Sequence, residues 1–159
     1  MPMLRAMADD SLDPVVAWRS IVALVNARIA GAADAELDRR RDAKSFTWRE
    51  TVHHVAEANV VAAGIVIAGL GNPGCTFDWS WMQPFGPWLD RMAYRDRPIA
   101  PVLRLLAALN DYVAALVEHL PDGTSRAVLL RDAPGAVPRR STVGEVLLAA
   151  AAPAREHFG

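Results

Sequence analysis

Apolar residues recur at helical spacing in four stretches, separated by segments rich in glycine, proline and charge. In the first, Val15, Trp18, Val22, Val25 and Ile29 follow steps of three and four, which places them on one face of a helix. Asp13 before Pro14 supplies an N-cap and a first-turn proline, and Gly31 and the charged run to Lys44 end the element, predicting a helix over 14–31. The second stretch opens on Thr47-Trp48-Arg49-Glu50, a capping-box pattern in which threonine and glutamate each satisfy a backbone donor of the first turn. Its later half, Val60 to Ile67, is apolar on every side, as a helix buried on most faces would be. Gly71-Asn72-Pro73-Gly74 stops it, predicting a helix over 47–70. In the third, Ile99, Val102, Leu106, Leu109, Val113, Leu116 and Leu120 alternate steps of three and four until Pro121-Asp122-Gly123. That is the seam of a bundle helix over 98–120, about 33 Å long. A second capping box, Thr142-Val143-Gly144-Glu145, begins the fourth helix over 142–158, with a seam of Val143, Val146, Ala150, Pro153 and His157.

Four such helices predict an all-α fold, an antiparallel up-and-down four-helix bundle. It is expected to be one domain over 1–159 with a long aromatic loop between helices 2 and 3 carrying Phe77, Trp79, Trp81, Phe85 and Trp88. The connection over 124–140 holds Pro134, Gly135 and Pro138. Within it Val128-Leu129-Leu130 reads as a short strand, without a convincing sheet around it. There is no internal repeat.

Composition changes this picture little. The chain of 159 residues is 52% apolar and 22% charged, enough to fill a core and wet its surface. A net charge of −1 gives no electrostatic reason to expect nucleic acid or an anionic membrane as partner. The basic runs at Arg39–Arg41 and Arg139–Arg140 read as solvated loop charge. The single cysteine, Cys75, excludes an internal disulfide framework and a multi-cysteine metal site; it reads as a plain loop thiol, with a catalytic nucleophile as the alternative. The first dozen residues include Asp9, Asp10 and Asp13 rather than the apolar stretch of a signal peptide. The greasiest run, Val60 to Leu70, is 11 residues long, too short to span a bilayer. A cytoplasmic protein is expected.

Candidate chemistry is sparse. His54 shares a helical line with the apolar Ala58, Val61 and Ile65, and His157 lies on the seam of the fourth helix. Two inward imidazoles from facing helices can serve one divalent metal; hydrogen-bonded core histidines are the competing reading. Glu57, three residues after His54, shares its face. It either completes a set of two histidines and a carboxylate, or is exposed or paired with an arginine. His53 points about 100° away around the helix, Glu156 likewise diverges from His157, and His119 ends the third helix. Trp79, Trp81 and Trp88 either cover a pocket or pack over the end of the bundle or in a subunit contact. No catalytic residue can be singled out.

Phe46-Thr47-Trp48-Arg49-Glu50-Thr51-Val52-His53-His54-Val55 resembles the second-helix motif of the DinB-like superfamily, which includes the YfiT-type metal-binding bundles. In that motif an aromatic residue and a Ser/Thr cap precede a glutamate, with a metal-binding histidine four residues later. Thr142 to Leu147 and the ending Ala154-Arg155-Glu156-His157-Phe158-Gly159 are similar to that family's fourth helix, where the second histidine of a His-x-x-x-His pair matches His157. The resemblance covers nearly the whole chain in length and helix order, with two specific segments. It implies a four-helix bundle, commonly a homodimer, in which three histidines bind nickel or zinc. It also implies chemistry with a low-molecular-weight thiol, as in bacillithiol S-transferases and mycothiol-dependent maleylpyruvate isomerase. The metal would favour the nucleophilic thiolate, with His54 the first ligand and His157 the third. The middle ligand position is Pro153, flanked by the plain small residues Ala149 to Ala152, and proline cannot ligate. Two functions stay open: a divalent-metal-dependent thiol S-transferase or isomerase-like enzyme with a degenerate metal site, or a metal-free bundle that binds a small ligand or dimerises without catalysis.

Overall fold

The computed structural model describes residues 12–40, 45–82 and 87–159; Asp9, Asp10, Arg41, Lys44 and Phe85 lie outside them. Four long helices form a bundle: α1 (Pro14–Ile29), α3 (Trp48–Gly71), α5 (Ile99–Glu118) and α6 (Val143–Phe158). Short helices α2 (Asp34–Leu37) and α4 (Pro87–Arg91) lie in the connections. The long helices begin and end within two residues of the ranges predicted, because the start signals act as read. Asp13 accepts from the backbone N–H of Val15 and Val16, and both capping boxes close, Thr47 with Glu50 and Thr142 with Glu145.

α1 packs between α5 and α6, and α3 also packs between α5 and α6, so α1 and α3 sit on opposite corners. Pro14 at the start of α1 meets Gly144 at the start of α6, and the Arg126 guanidinium just beyond α5 donates to the Leu70 carbonyl at the end of α3. At the opposite end Trp48, the first residue of α3, contacts Phe158, the last of α6. Hence α1 and α6 run one way, α3 and α5 the other. The simple up-and-down order expected from the sequence is corrected here. The described parts of the connection, 72–82 and 87–98, lead from the end of α3 back to its start, so α3 and α5 run parallel.

The core is continuous across the four helices, with Trp18, Ile21, Val25, Val52, Val55, Val66, Val113 and Leu147 fully buried. Where α1 crosses α5, the Trp18 indole donates to the Asn110 carbonyl at 3.0 Å and the Asn110 amide donates to the Trp18 carbonyl at 2.6 Å. A polar pair that satisfies itself in this way adds register to an otherwise greasy contact.

The second correction concerns sheet structure. Strands β1 (Thr76–Asp78), β2 (Ala127–Arg131) and β3 (Arg139–Thr142) form a three-stranded sheet in that order, β1 parallel and β3 antiparallel to β2. The strand read at Val128-Leu129-Leu130 is present; its Val128 and Leu130 are buried while Leu129 turns outward. The sheet sits at the end of the bundle, where a Cβ on Gly69 of α3 would come within 3.2 Å of Val143 and 3.4 Å of Val128. The supposed aromatic loop thus contains a strand and a short helix. Its strand was hidden because β1 is only three residues long and gains a partner solely through the parallel return.

Candidate functional site

The line His54, Ala58, Val61, Ile65 lies on the side of α3 that faces α6. A cleft of about 50 Å³ opens there, lined by Ala58, Val61, Ala62 and Ile65 from α3 and by Val146, Ala149, Ala150 and Pro153 from α6, with Trp79 and Met82 from the return segment. Among the described residues every lining side chain is apolar apart from that of Trp79, which carries an indole N–H. That nitrogen is buried and has no hydrogen-bond partner among the described residues. Pro153 sits inside α6, where it has no N–H to give the carbonyl of Ala149. Of the three tryptophans singled out, only Trp79 lines the cleft. Trp81 is 60% exposed and rests on Trp88, their ring centroids 6.2 Å apart.

The histidines stand one turn beyond this cleft. His54 is 4% exposed and meets the edge of Phe46, centroid to centroid 5.6 Å. Burial pushes its pKa down to about 4, the neighbouring His157 pushes the same way, and Glu57 opposes both. That mutual influence puts the two imidazoles within electrostatic reach of each other, beside the Trp48–Phe158 ring contact. His157 is half-buried. Neither ring lines the cleft.

Glu57 has both oxygens hydrogen-bonded to the segment that follows α3 rather than to either histidine. Its Oε1 accepts from Arg97 Nη1 at 2.9 Å, and its Oε2 accepts from Tyr94 Oη at 2.5 Å and from Trp88 Nε1 at 3.2 Å. Burial, then Glu57, pushes the Tyr94 phenol well above the ordinary tyrosine range. His53, 1% exposed, stacks on Tyr94 at 5.6 Å, and its Nε2 lies 3.4 Å from the Arg97 carbonyl. Burial holds its pKa below the usual histidine value. One turn earlier Glu50 closes the capping box and also accepts from Arg95 Nε at 2.7 Å. Burial raises the Glu50 carboxyl, but Arg95 and the Thr47 N–H together outweigh it and hold it below its usual range. Glu50, His53 and Glu57 therefore form a second, polar line on α3 that clamps the return segment. Sequence reasoning weighed Glu57 alone and missed the line. Its signal was the spacing i, i+3, i+7, with Arg95 and Arg97 available to answer it. In the segment they hold, Ala93 takes a left-handed φ of 49°. The other singled-out residues lie apart: His119 is exposed at the end of α5 and Cys75 is half-buried before β1.

The donor set does not suit a resident metal held by three protein ligands. Glu57 has both oxygens committed to Arg97, Tyr94 and Trp88. Pro153, one turn before His157 on α6 and lining the cleft, has no donor atom to offer a metal. Among the described residues no group of three or more His, Cys, Asp or Glu side chains is placed to hold a metal ion.

No family model matches the sequence, and no curated protein matches it. Among solved structures the fold is similar to that of YfiT from Bacillus subtilis, described as a probable metal-dependent hydrolase with an unusual four-helix bundle topology. The match has a TM-score of 0.73 at 17% identity and covers 91% of this chain and 79% of that one.

Proposed function

We propose that this chain is a bundle of the DinB/YfiT type that has exchanged a metal centre for an apolar binding cleft. Its occupant is a small molecule with an apolar body and one hydrogen-bond acceptor. The observation that carries this reading is the α3–α6 cleft, whose wall includes Pro153 at the position where the resembling family places its middle ligand. The cleft, about 50 Å³ and open on one side, has room for roughly four water molecules, hence for an aromatic ring or a short alkyl chain. Such a wall favours apolar surface, and the buried N–H of Trp79 favours a molecule that returns the hydrogen bond it lacks.

The test is a matched pair of probes, acetophenone and ethylbenzene, which differ in one carbonyl. Both should raise the melting temperature of the chain, because a ligand that binds only the folded state stabilises it. Acetophenone should bind more tightly, and Trp79→Phe should remove that advantage of about tenfold while leaving ethylbenzene unaffected. Ala149→Phe should abolish both by filling the space. If neither probe binds, or if Ala149→Phe leaves binding intact, the cleft is not the site.

A second reading rests on the closeness of His54 and His157 and on the metal dependence ascribed to YfiT. Here the two imidazoles hold zinc or nickel while water or a bound thiol supplies the remaining donors, and thiol transfer or isomerisation follows. Elemental analysis of protein purified without a metal-affinity tag separates the two. Stoichiometric metal that is lost in His54→Ala would replace the cleft reading with this one.

A further inference from the structure

The polar pair that fixes α1 against α5 leaves one atom over. Asn110 is 3% exposed, and its Nδ2 donates to the Trp18 carbonyl at 2.6 Å. Its Oδ1, the other end of the same amide, accepts no hydrogen bond among the described residues, yet it is not sealed from solvent. The opening that Asn110 lines is a groove of about 310 Å³ between the two helices. One turn of each helix makes the walls: Arg19, Val22 and Ala23 from α1, and Ala107, Asn110 and Asp111 from α5. Both sets have the spacing i, i+3, i+4, which puts their side chains on one face of the helix. Val22, Ala23 and Ala107 are the apolar part, joined by the methylenes of Arg19. The charges are unequally answered. Arg19 gives its guanidinium to Glu118, at 2.8 Å from Nη2 and 3.4 Å from Nε. Asp111 is left 3.9 Å from Arg19 Nη1, beyond hydrogen-bond distance. One cation thus stands against two carboxylates, and the unanswered Oδ1 adds to the negative side.

We propose that this groove binds a small primary ammonium ion with a compact apolar body. An ammonium has three N–H donors and no acceptor. It can donate to Asn110 Oδ1 and to the Asp111 carboxylate while its carbon skeleton lies on Val22, Ala23 and Ala107. Both polar partners gain from it, the buried amide most, because an acceptor left without a donor in a site this closed is costly. An anion would have to take Arg19 from Glu118 and would still face Asp111. An alcohol could answer Asn110 but would gain nothing from the charge of Asp111. The volume lies at the lower end of the roughly 300–1,000 Å³ usual for small-molecule pockets, and a footprint of one turn on each helix suits a small molecule rather than a protein surface. The groove shares no lining residue with the α3–α6 cleft, so the two sites stand or fall separately.

The test follows the side-chain amide resonance of Asn110 in the isotope-labelled full chain. The probes are cyclohexylmethylammonium, cyclohexylmethanol and cyclohexylacetate, which share a ring and differ in the head group. The ammonium should shift the resonance saturably and bind about fivefold more tightly than the alcohol, the margin expected of one partly exposed charge pair. The acetate should not bind. Asp111→Asn, at a side chain 84% exposed, should keep the fold and erase the margin. Ala23→Phe should fill the groove and abolish binding, whereas Ala149→Phe, which fills the other cleft, should leave it unchanged. An ammonium that does not shift Asn110 saturably overturns the proposal. So does an acetate that binds as well, or a margin that survives Asp111→Asn. Loss of binding in Ala149→Phe would overturn it too, by assigning the amine to the α3–α6 cleft.

Discussion

His54 is neutral in the folded chain because its site is nearly dry, and this couples stability to pH. Its folded pKa of about 4 lies below the ordinary 6.5, so between these values the unfolded chain binds a proton that the folded chain refuses. Stability is therefore full above pH 6.5 and falls as the pH drops toward 4. By linkage the loss amounts to roughly 3 kcal/mol. His53, also depressed by burial, adds in the same direction. Urea midpoints measured from neutral to mildly acidic pH should fall accordingly, and His54→Gln should flatten the slope. An unchanged slope would mean that His54 is solvated. Glu57 offers a second test. Removing its charge by Glu57→Gln should lower the Tyr94 pKa while leaving it above that of a free tyrosine, because burial, the larger cause, remains. Ultraviolet titration of the phenol reads this directly. The same substitution should hasten amide exchange across 88–97, which Glu57 anchors through Trp88, Tyr94 and Arg97.

At the scale of elements, Pro153 and the capping boxes show what local rules decide. Each box fixed a helix start, so α3 and α6 were legible from four residues apiece. Pro153 was legible as a departure too, yet α6 continues past it to Phe158, because packing against α1 and α3 holds the last turn in place. Pro153→Ala should return the hydrogen bond to the Ala149 carbonyl and stabilise the chain by about 1–3 kcal/mol, measured as a rise in melting temperature. Pro153→His should raise zinc or nickel affinity well above the wild-type value, since a third imidazole would join His54 and His157; titration calorimetry that detects no change would remove these histidines from any metal chemistry. What was not legible is equally local in cause. The clamp on the return segment depends on Arg95 and Arg97, some 45 and 40 residues from Glu50 and Glu57, and periodicity within one helix says nothing about partners so distant. The cleft was half legible: its α3 wall is the line on which His54 was read, while Trp79 and Met82 arrive from a segment read as loop.

For the whole molecule, helix number and length follow from the sequence pattern, but the order in which the helices touch does not. Amphipathic stripes define a buried face without naming the neighbour that covers it. Connection length was a clue, since 27 residues separate α3 from α5, enough to return along the bundle and let them run parallel. The pairing of α1 with α6 has a consequence for synthesis. A ribosome releases the chain from its N-terminal side at about 5–20 residues per second, so the face of α1 bearing Trp18, Ile21 and Val25 emerges long before the helix that shields it. Until Val146, Leu147 and Ala151 are made, that face has only α5 to lie against. Folding should therefore finish late and abruptly. A nascent-chain series of increasing length should stay sensitive to protease until α6 has fully emerged, and a fragment ending at residue 140 should not fold by itself.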